Sequence, residues 1–182
     1  MTNFFYASAL ALILSTSGGL SNASSPPINM ETNVTRQSSS EDEALKEAAE
    51  LLRKSRWGSE GLGAAEKGLA RLLEEHRDST IAELLAALID GVQEKRAGHD
   101  LSIAMFYMYE RSAYTAAEGR LKGIRSEYPK YSRLDEVLYQ LALLQIETSR
   151  NADAEETLQA LLNRFKFSPR ARDARDKLEL LK

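Results

Sequence analysis

The sequence predicts an all-α protein built from stacked helical hairpins, and three observations support this fold class. One spacing of residues occurs three times, as AAEKGLARLLEEH from Ala64, AAEGRLKGIRSEY from Ala116 and DAEETLQALLNRF from Asp153. Residues that commonly begin helices alternate along the chain with breaks that contain glycine or proline. From Ser40 onward, no stretch alternates with a period of two for long enough to predict a strand.

Each copy of the repeated spacing predicts one amphipathic helix. The shared positions lie at offsets of 0, 4, 7 and 11 residues, which fall on one stripe of a helix with about 3.6 residues per turn. A short helical hairpin cannot bury such a stripe alone, so neighbouring hairpins have to stack. The residues on the stripe are Ala65, Leu69, Leu72 and His76, then Ala117, Leu121, Ile124 and Tyr128, then Ala154, Leu158, Leu161 and Phe165.

Helix starts are predicted near residues 41, 81, 133 and 169, because each is preceded by a typical N-terminal signal. The signals are Ser40-x-x-Glu43, Thr80-x-x-Glu83, Ser132-x-x-Asp135 and the pair Ser168-Pro169. The predicted hairpins pair 41–55 with 62–76, 99–111 with 113–128, and 133–148 with 152–165. A segment at 81–96, ending in a break at Ala97 and Gly98, joins the first two hairpins. The helix at 169–181 closes the stack, which gives about three repeat units and a cap.

The first 40 residues are predicted to lie outside the repeat domain. Residues 1–23 are predicted to be an export signal or an N-terminal anchor, because the apolar run from Phe4 to Leu14 precedes a stretch of small residues. Residues 24–40 are rich in Ser, Pro, Asn and Thr without hydrophobic periodicity, which predicts a disordered linker. The repeat domain is therefore expected to span 41–182.

Composition and motifs argue against several function classes. A formal net charge of −3 in 182 residues does not favour nucleic acid as a partner, and the absence of cysteine excludes thiolate metal sites and cysteine nucleophiles. His76 and His99 have no other ligand at a suitable spacing, so packing is favoured over metal binding. Glu66, Glu118 and Glu155 lie one residue off the apolar stripe and are interpreted as solvated carboxylates. The sequence therefore predicts no enzyme activity, metal or cofactor.

Two features remain as candidates for binding a partner protein. The aromatic residues Phe106, Tyr107, Tyr109 and Tyr114 cannot all face one side of a helix, so packing between repeats and a peptide groove both stay open. Arg120 precedes Leu121, which places it about 100° away from the buried stripe. The predicted partner-binding residues are Arg120, Tyr107, Tyr109 and Tyr114.

The run IAMFYMYERSAYTAAEGRLKGIRSEYP, from Ile103 to Pro129, resembles a tetratricopeptide repeat. The longer stretch from Val92 resembles the later repeats of BamD-type subunits of the outer-membrane-protein assembly machinery, and the likeness extends over about residues 60–180. This resemblance implies a helical scaffold in the periplasm, at the inner face of the outer membrane, that binds the β-barrel assembly subunit. It also implies contact with unfolded outer-membrane-protein segments. Arg120 matches the family arginine that contacts the barrel subunit.

The chain departs from this family in three respects. It has no cysteine for lipid attachment and only about three repeats, and Arg96 and Ser112 stand where leucine and a turn glycine are usual. Membrane association is therefore expected only through a partner or an uncleaved N-terminus. The alternative function is a soluble periplasmic adaptor of the same fold that coordinates envelope or peptidoglycan proteins.

Overall fold

The computed structural model describes residues 29–55 and 59–181, and this part of the chain is all-α. Its seven helices are α1 (Asn29–Lys54), α2 (Ser59–Glu75), α3 (Ala82–Tyr109), α4 (Tyr114–Glu127), α5 (Leu134–Glu147), α6 (Asn151–Arg164) and α7 (Arg170–Leu180). No strand occurs among these described residues. The predicted export signal at 1–23 lies outside them. The hairpin stack lies within the compact unit Ser38–Lys182.

The helices pack as hairpins that stack on their neighbours in chain order. Helix α3 packs along both α2 and α4, α4 packs on α5, and α5 and α6 form the last hairpin. Helix α7 covers α6 and also contacts α5. The prediction of an all-α stack of helical hairpins with a capping helix is therefore confirmed.

The three alanine-led stripes point into the core, as the repeated spacing predicts. Each leading alanine, Ala65, Ala117 and Ala154, is at most 1% exposed, and the leucine or isoleucine residues that follow it are buried. Alanine also lies on both helices of the second and third hairpins, where Ala104, Ala117, Ala142 and Ala154 are all buried. Small side chains at these points allow two helix axes to approach closely.

Helix α3 is longer than predicted, because it runs without interruption from Ala82 to Tyr109 over 28 residues. The predicted break at Ala97 and Gly98 is wrong. Ala97 is fully buried, and a Cβ atom at Gly98 would lie 3.5 Å from the Tyr131 hydroxyl. Gly98 is therefore a packing position inside a helix. As a result, α3 belongs to two core clusters at once, one with α1 and α2 and the other with α4 and α5.

Helix α1 begins at Asn29, earlier than the predicted start near 41. Residues 29–40, expected to be linker, are therefore helical, and Ser40 lies inside the helix and caps nothing. The physical reason is that adding a residue to an existing helix gains one backbone hydrogen bond, which is easier than starting a new helix. Residues 24–28 of the expected linker lie outside the described part of the chain.

Two of the predicted capping residues are held by a glutamate from an earlier helix. The Thr80 amide and hydroxyl donate to the Glu41 carboxylate, at 3.3 and 3.0 Å. The Ser132 amide donates to Glu94 at 3.0 Å, and the Ser132 hydroxyl donates to the same carboxylate. Neither residue caps its own helix, since no side-chain cap forms at the start of α3 or α5. By contrast, Ser168 accepts from the Arg170 amide at 3.1 Å, as expected of a residue before a helix start.

The turns inside the second and third hairpins both use a serine in the left-handed conformation. Ser112, between α3 and α4, has φ of 51°, and Ser149, between α5 and α6, has φ of 59°. A residue with a Cβ atom adopts this conformation at a cost of about 1–2 kcal/mol. Each turn therefore holds a serine at a position where glycine would carry no such cost.

Candidate partner-binding surface

Arg120 lies on the surface of α4 and forms one ion pair. Its Nη1 donates to Asp100 Oδ1 on α3 at 2.9 Å, and 41% of the arginine side chain is exposed. A pair at this level of exposure is worth about 0–1 kcal/mol, so the guanidinium can exchange partners at low cost. Arg120 is therefore accessible to another protein.

The ring of Tyr109 is exposed, and its hydroxyl already forms a hydrogen bond within the protein. The residue is 55% exposed, and its hydroxyl donates to Gln140 Oε1 at 2.7 Å. The Gln140 amide donates to the buried Glu136 at 2.7 Å, and Arg170 Nε donates to the other carboxylate oxygen at 2.5 Å. This chain of hydrogen bonds connects the end of α3 with α5 and with the start of α7.

Tyr107 and Tyr114 are only partly accessible. Both are half-buried and pack against the core cluster shared by α3, α4 and α5. Phe106, by contrast, is 46% exposed, and the Arg111 guanidinium lies 5.4 Å from the centre of its ring. Of the aromatic residues on α3, Phe106 and Tyr109 are thus the ones that a partner can reach most easily.

The predicted site residues do not form one patch, because Asp100, the partner of Arg120, and Tyr109 lie on opposite sides of α3. Asp100, which holds Arg120, and Tyr109 are nine residues apart, or about two and a half helical turns. The Asp100 flank faces α4, whereas Tyr109 bonds to α5. The helical period gives the angle between Asp100 and Tyr109, whereas the pairing of Arg120 with Asp100 is a tertiary contact that the sequence pattern does not show.

Two of the three recurring glutamates form partly buried ion pairs, so their interpretation as solvated carboxylates is wrong. The side chain of Glu66 is 20% exposed, and its carboxylate accepts from Gln93 at 2.8 Å and from Arg96. Glu118 is 17% exposed and accepts two bonds of 2.9 Å from Arg150. Hydrogen bonding from Arg150 holds the pKa of Glu118 below its usual range, although partial burial opposes this shift.

The histidines lie apart from any cluster of metal ligands. His76 is half-buried in the turn after α2, and His99 is exposed on α3. In the described ranges 29–55 and 59–181, no group of three or more His, Asp or Glu side chains is arranged to hold a metal ion. Nor does any helix within these ranges combine the length and the apolar character needed to cross a membrane.

No protein-family model matches the chain, and no curated protein matches it. The class of the protein is therefore given by its architecture, which is an all-α stack of helical hairpins closed by a single helix.

Proposed function

We propose that this chain is a non-enzymatic scaffold that binds another protein through the outer surface of its α3–α4 hairpin. Following the resemblance to BamD-type subunits, the partner is the β-barrel assembly subunit of the outer membrane. The chain then acts in the periplasm, at the inner face of that membrane, and assists the assembly of β-barrel proteins. Stacked helical hairpins support this role because they offer an extended rigid surface.

The observation that carries the proposal is the surface of α4 around Arg120. Gly119, the preceding residue, is exposed in the interior of the helix, and a Cβ atom added there would meet nothing within 4 Å. Glycine in a helix interior stabilises the helix less than alanine does, by about 1 kcal/mol. No packing contact within the described part of the chain requires glycine at position 119. A partner backbone that approaches closely beside Arg120 would supply a reason for this glycine. Arginine is also enriched among the residues that dominate binding energy.

The exposed rings of Phe106 and Tyr109 support a second contact on the same hairpin. Because they lie on the other flank of α3, they do not compete with the contact around Arg120. Aromatic rings on a rigid helix bury a large apolar area for little loss of side-chain freedom. They suit an extended apolar segment such as an unfolded outer-membrane protein.

Replacing Arg120 with glutamate tests the proposal. We expect Arg120→Glu to reduce recovery of the barrel subunit in a pull-down from envelope extract at least about tenfold, which corresponds to about 1.4 kcal/mol. The matched control is Arg125→Glu, since Arg125 is exposed on the same helix and the substitution makes the same charge change. Circular dichroism should give the same helicity for both variants. Equal recovery with the two variants would remove Arg120 from the binding surface.

The second candidate function is a soluble periplasmic adaptor for envelope or peptidoglycan proteins. The observation that favours it comes from the sequence, which has no cysteine to carry the lipid of BamD-type subunits. Cell fractionation distinguishes the two functions. A barrel-assembly subunit should be recovered in the outer-membrane fraction and be released from it by detergent. An adaptor should appear in the soluble extract without detergent.

A further inference from the structure

A cavity of about 270 Å³ lies where the turn after α4 meets the middle of α3. It is lined by Asp90, Gln93, Glu94, Tyr128, Lys130 and Tyr131. None of the predicted partner-binding residues lines it. Its volume is below the roughly 300–1,000 Å³ of sites for drug-sized ligands, which points to a guest the size of one side chain.

The charges that line the cavity are unequal, with two carboxylates and one ammonium group. Glu94 is fixed in place by the amide and hydroxyl of Ser132. Asp90 has a weaker partner, since Lys130 Nζ lies 3.5 Å from its Oδ1 and the two side chains are 55% and 80% exposed. Such an exposed pair contributes about 1 kcal/mol or less, so a better-placed cation can displace Lys130.

Two buried tyrosines complete the lining. Tyr128 is 5% exposed and Tyr131 is 6% exposed, and burial raises the pKa of both hydroxyls. The Tyr128 hydroxyl is buried and has no hydrogen-bond partner in the described part of the chain. Tyrosine rings attract cations, and the Arg96 guanidinium already lies 5.7 Å from the centre of the Tyr128 ring.

We infer that this cavity binds a single basic side chain, the ammonium group of lysine or the guanidinium group of arginine, presented by a partner polypeptide. Asp90 and Glu94 accept hydrogen bonds from the cation, and the tyrosine rings pack against its aliphatic part. Charge-assisted bonds of this kind are stronger than neutral ones, which favours a basic guest over a neutral polar one. The inference does not depend on the contact proposed around Arg120, and either of the two can fail alone.

The first experiment is an NMR titration of the ¹⁵N-labelled full chain with capped single amino acids. N-acetyl-lysine amide and N-acetyl-arginine amide should shift the amide signals of residues 90–94 and 128–132 in a saturable way. N-acetyl-norleucine amide, which has the same alkyl chain without the charge, should not. Equal shifts with norleucine, or saturable shifts only elsewhere, would overturn the inference. Tighter binding of butylamine than of capped lysine would assign the cavity to a free amine and would also overturn it.

Two variants separate a cation site from an anion site. Asp90→Asn should weaken lysine-probe binding about tenfold, whereas Asp78→Asn, an exposed acid in the turn after α2 with the same charge change, should leave it unchanged. Lys130→Gln should tighten binding, because it removes the competing cation. If Lys130→Gln instead abolishes binding and acetate shifts the same amides, the cavity is an anion site and the inference is wrong.

Discussion

At the scale of single residues, the recurring glutamates show how one short motif can join two different helices through an ion pair. Glu118 on α4 accepts both hydrogen bonds of the Arg150 fork at the start of α6. Glu66 on α2 holds Arg96 on α3 in a comparable way. Glu155, in the third copy of the motif, forms no ion pair within the described part of the chain. The glutamate therefore contributes to packing between elements in two of its three occurrences.

Replacing Glu118 with glutamine tests this contribution through its pH dependence. Because the folded-state pKa of Glu118 lies below its ordinary value of 4.5, its charge stabilises the fold above that pH and stops doing so as the pH falls through the folded-state pKa. We expect Glu118→Gln to lower the free energy of unfolding by roughly 1 kcal/mol at pH 7 and by less at an acidic pH well below 4.5. Urea melts at the two pH values measure this.

The control for this variant is Glu155→Gln, which makes the same change at the position without an ion pair. It should be close to neutral at both pH values. A loss of the same size in both variants would show that the charge of the helix surface, and not the bond to Arg150, is responsible.

At the scale of helices, glycines that look alike in the sequence have different packing roles. A Cβ atom at Gly61 would lie 3.1 Å from the Lys54 carbonyl oxygen and 3.2 Å from Ser55 Cα, so α2 begins in close contact with the end of α1. At Gly119, the same atom would meet nothing. Packing inside the protein favours glycine at the first position and does not favour it at the second.

Alanine substitution at the two glycines should therefore have opposite effects. We expect Gly119→Ala to raise the free energy of unfolding by about 0.5–1 kcal/mol, because alanine favours the helix and the space is empty. Gly61→Ala should lower it by about 1 kcal/mol, because strain against backbone atoms exceeds the gain in helix propensity. Thermal melts followed by circular dichroism give both values. Stabilisation by Gly61→Ala would contradict the close approach of α1 and α2.

The helices also show how far the sequence predicts the fold. The period of the apolar residues predicts the three alanine-led stripes. It also predicts that α3 pairs with α4 and that α5 pairs with α6. The continuity of α3 does not follow from this period, because Gly98 looks like a break until the distant Tyr131 is placed against it. For the candidate site, exposure of Arg120 was predictable. Its pairing with Asp100 and the ion pair between Glu118 and Arg150 depend on tertiary contacts that no local pattern encodes.

At the scale of the whole repeat stack, α3 couples the first hairpin to the rest. Its first half contributes Leu85 and Val92 to the cluster with α1 and α2, and its second half contributes Leu101 and Ala104 to the cluster with α4 and α5. Repeat proteins can lose units one at a time, since each unit contacts only its neighbours. Because α3 belongs to both clusters, unfolding of one unit alone is less favourable.

Leu85→Ala tests this coupling, because Leu85 is fully buried in the first cluster. We expect a loss of about 2–5 kcal/mol in the free energy of unfolding and a single cooperative transition. Amide hydrogen exchange should also become faster in α5, which does not contribute to that cluster. Unchanged exchange in α5, with faster exchange confined to α1, α2 and the first half of α3, would show that the two clusters unfold independently.

Because α3 is uninterrupted, it also fixes the distance between its two ends. A straight helix of 28 residues measures about 42 Å from end to end, and it resists bending. Proteins that bind near the two ends of α3 are therefore held at a fixed distance from each other. A proline introduced at mid-helix would bend α3 and remove this constant separation.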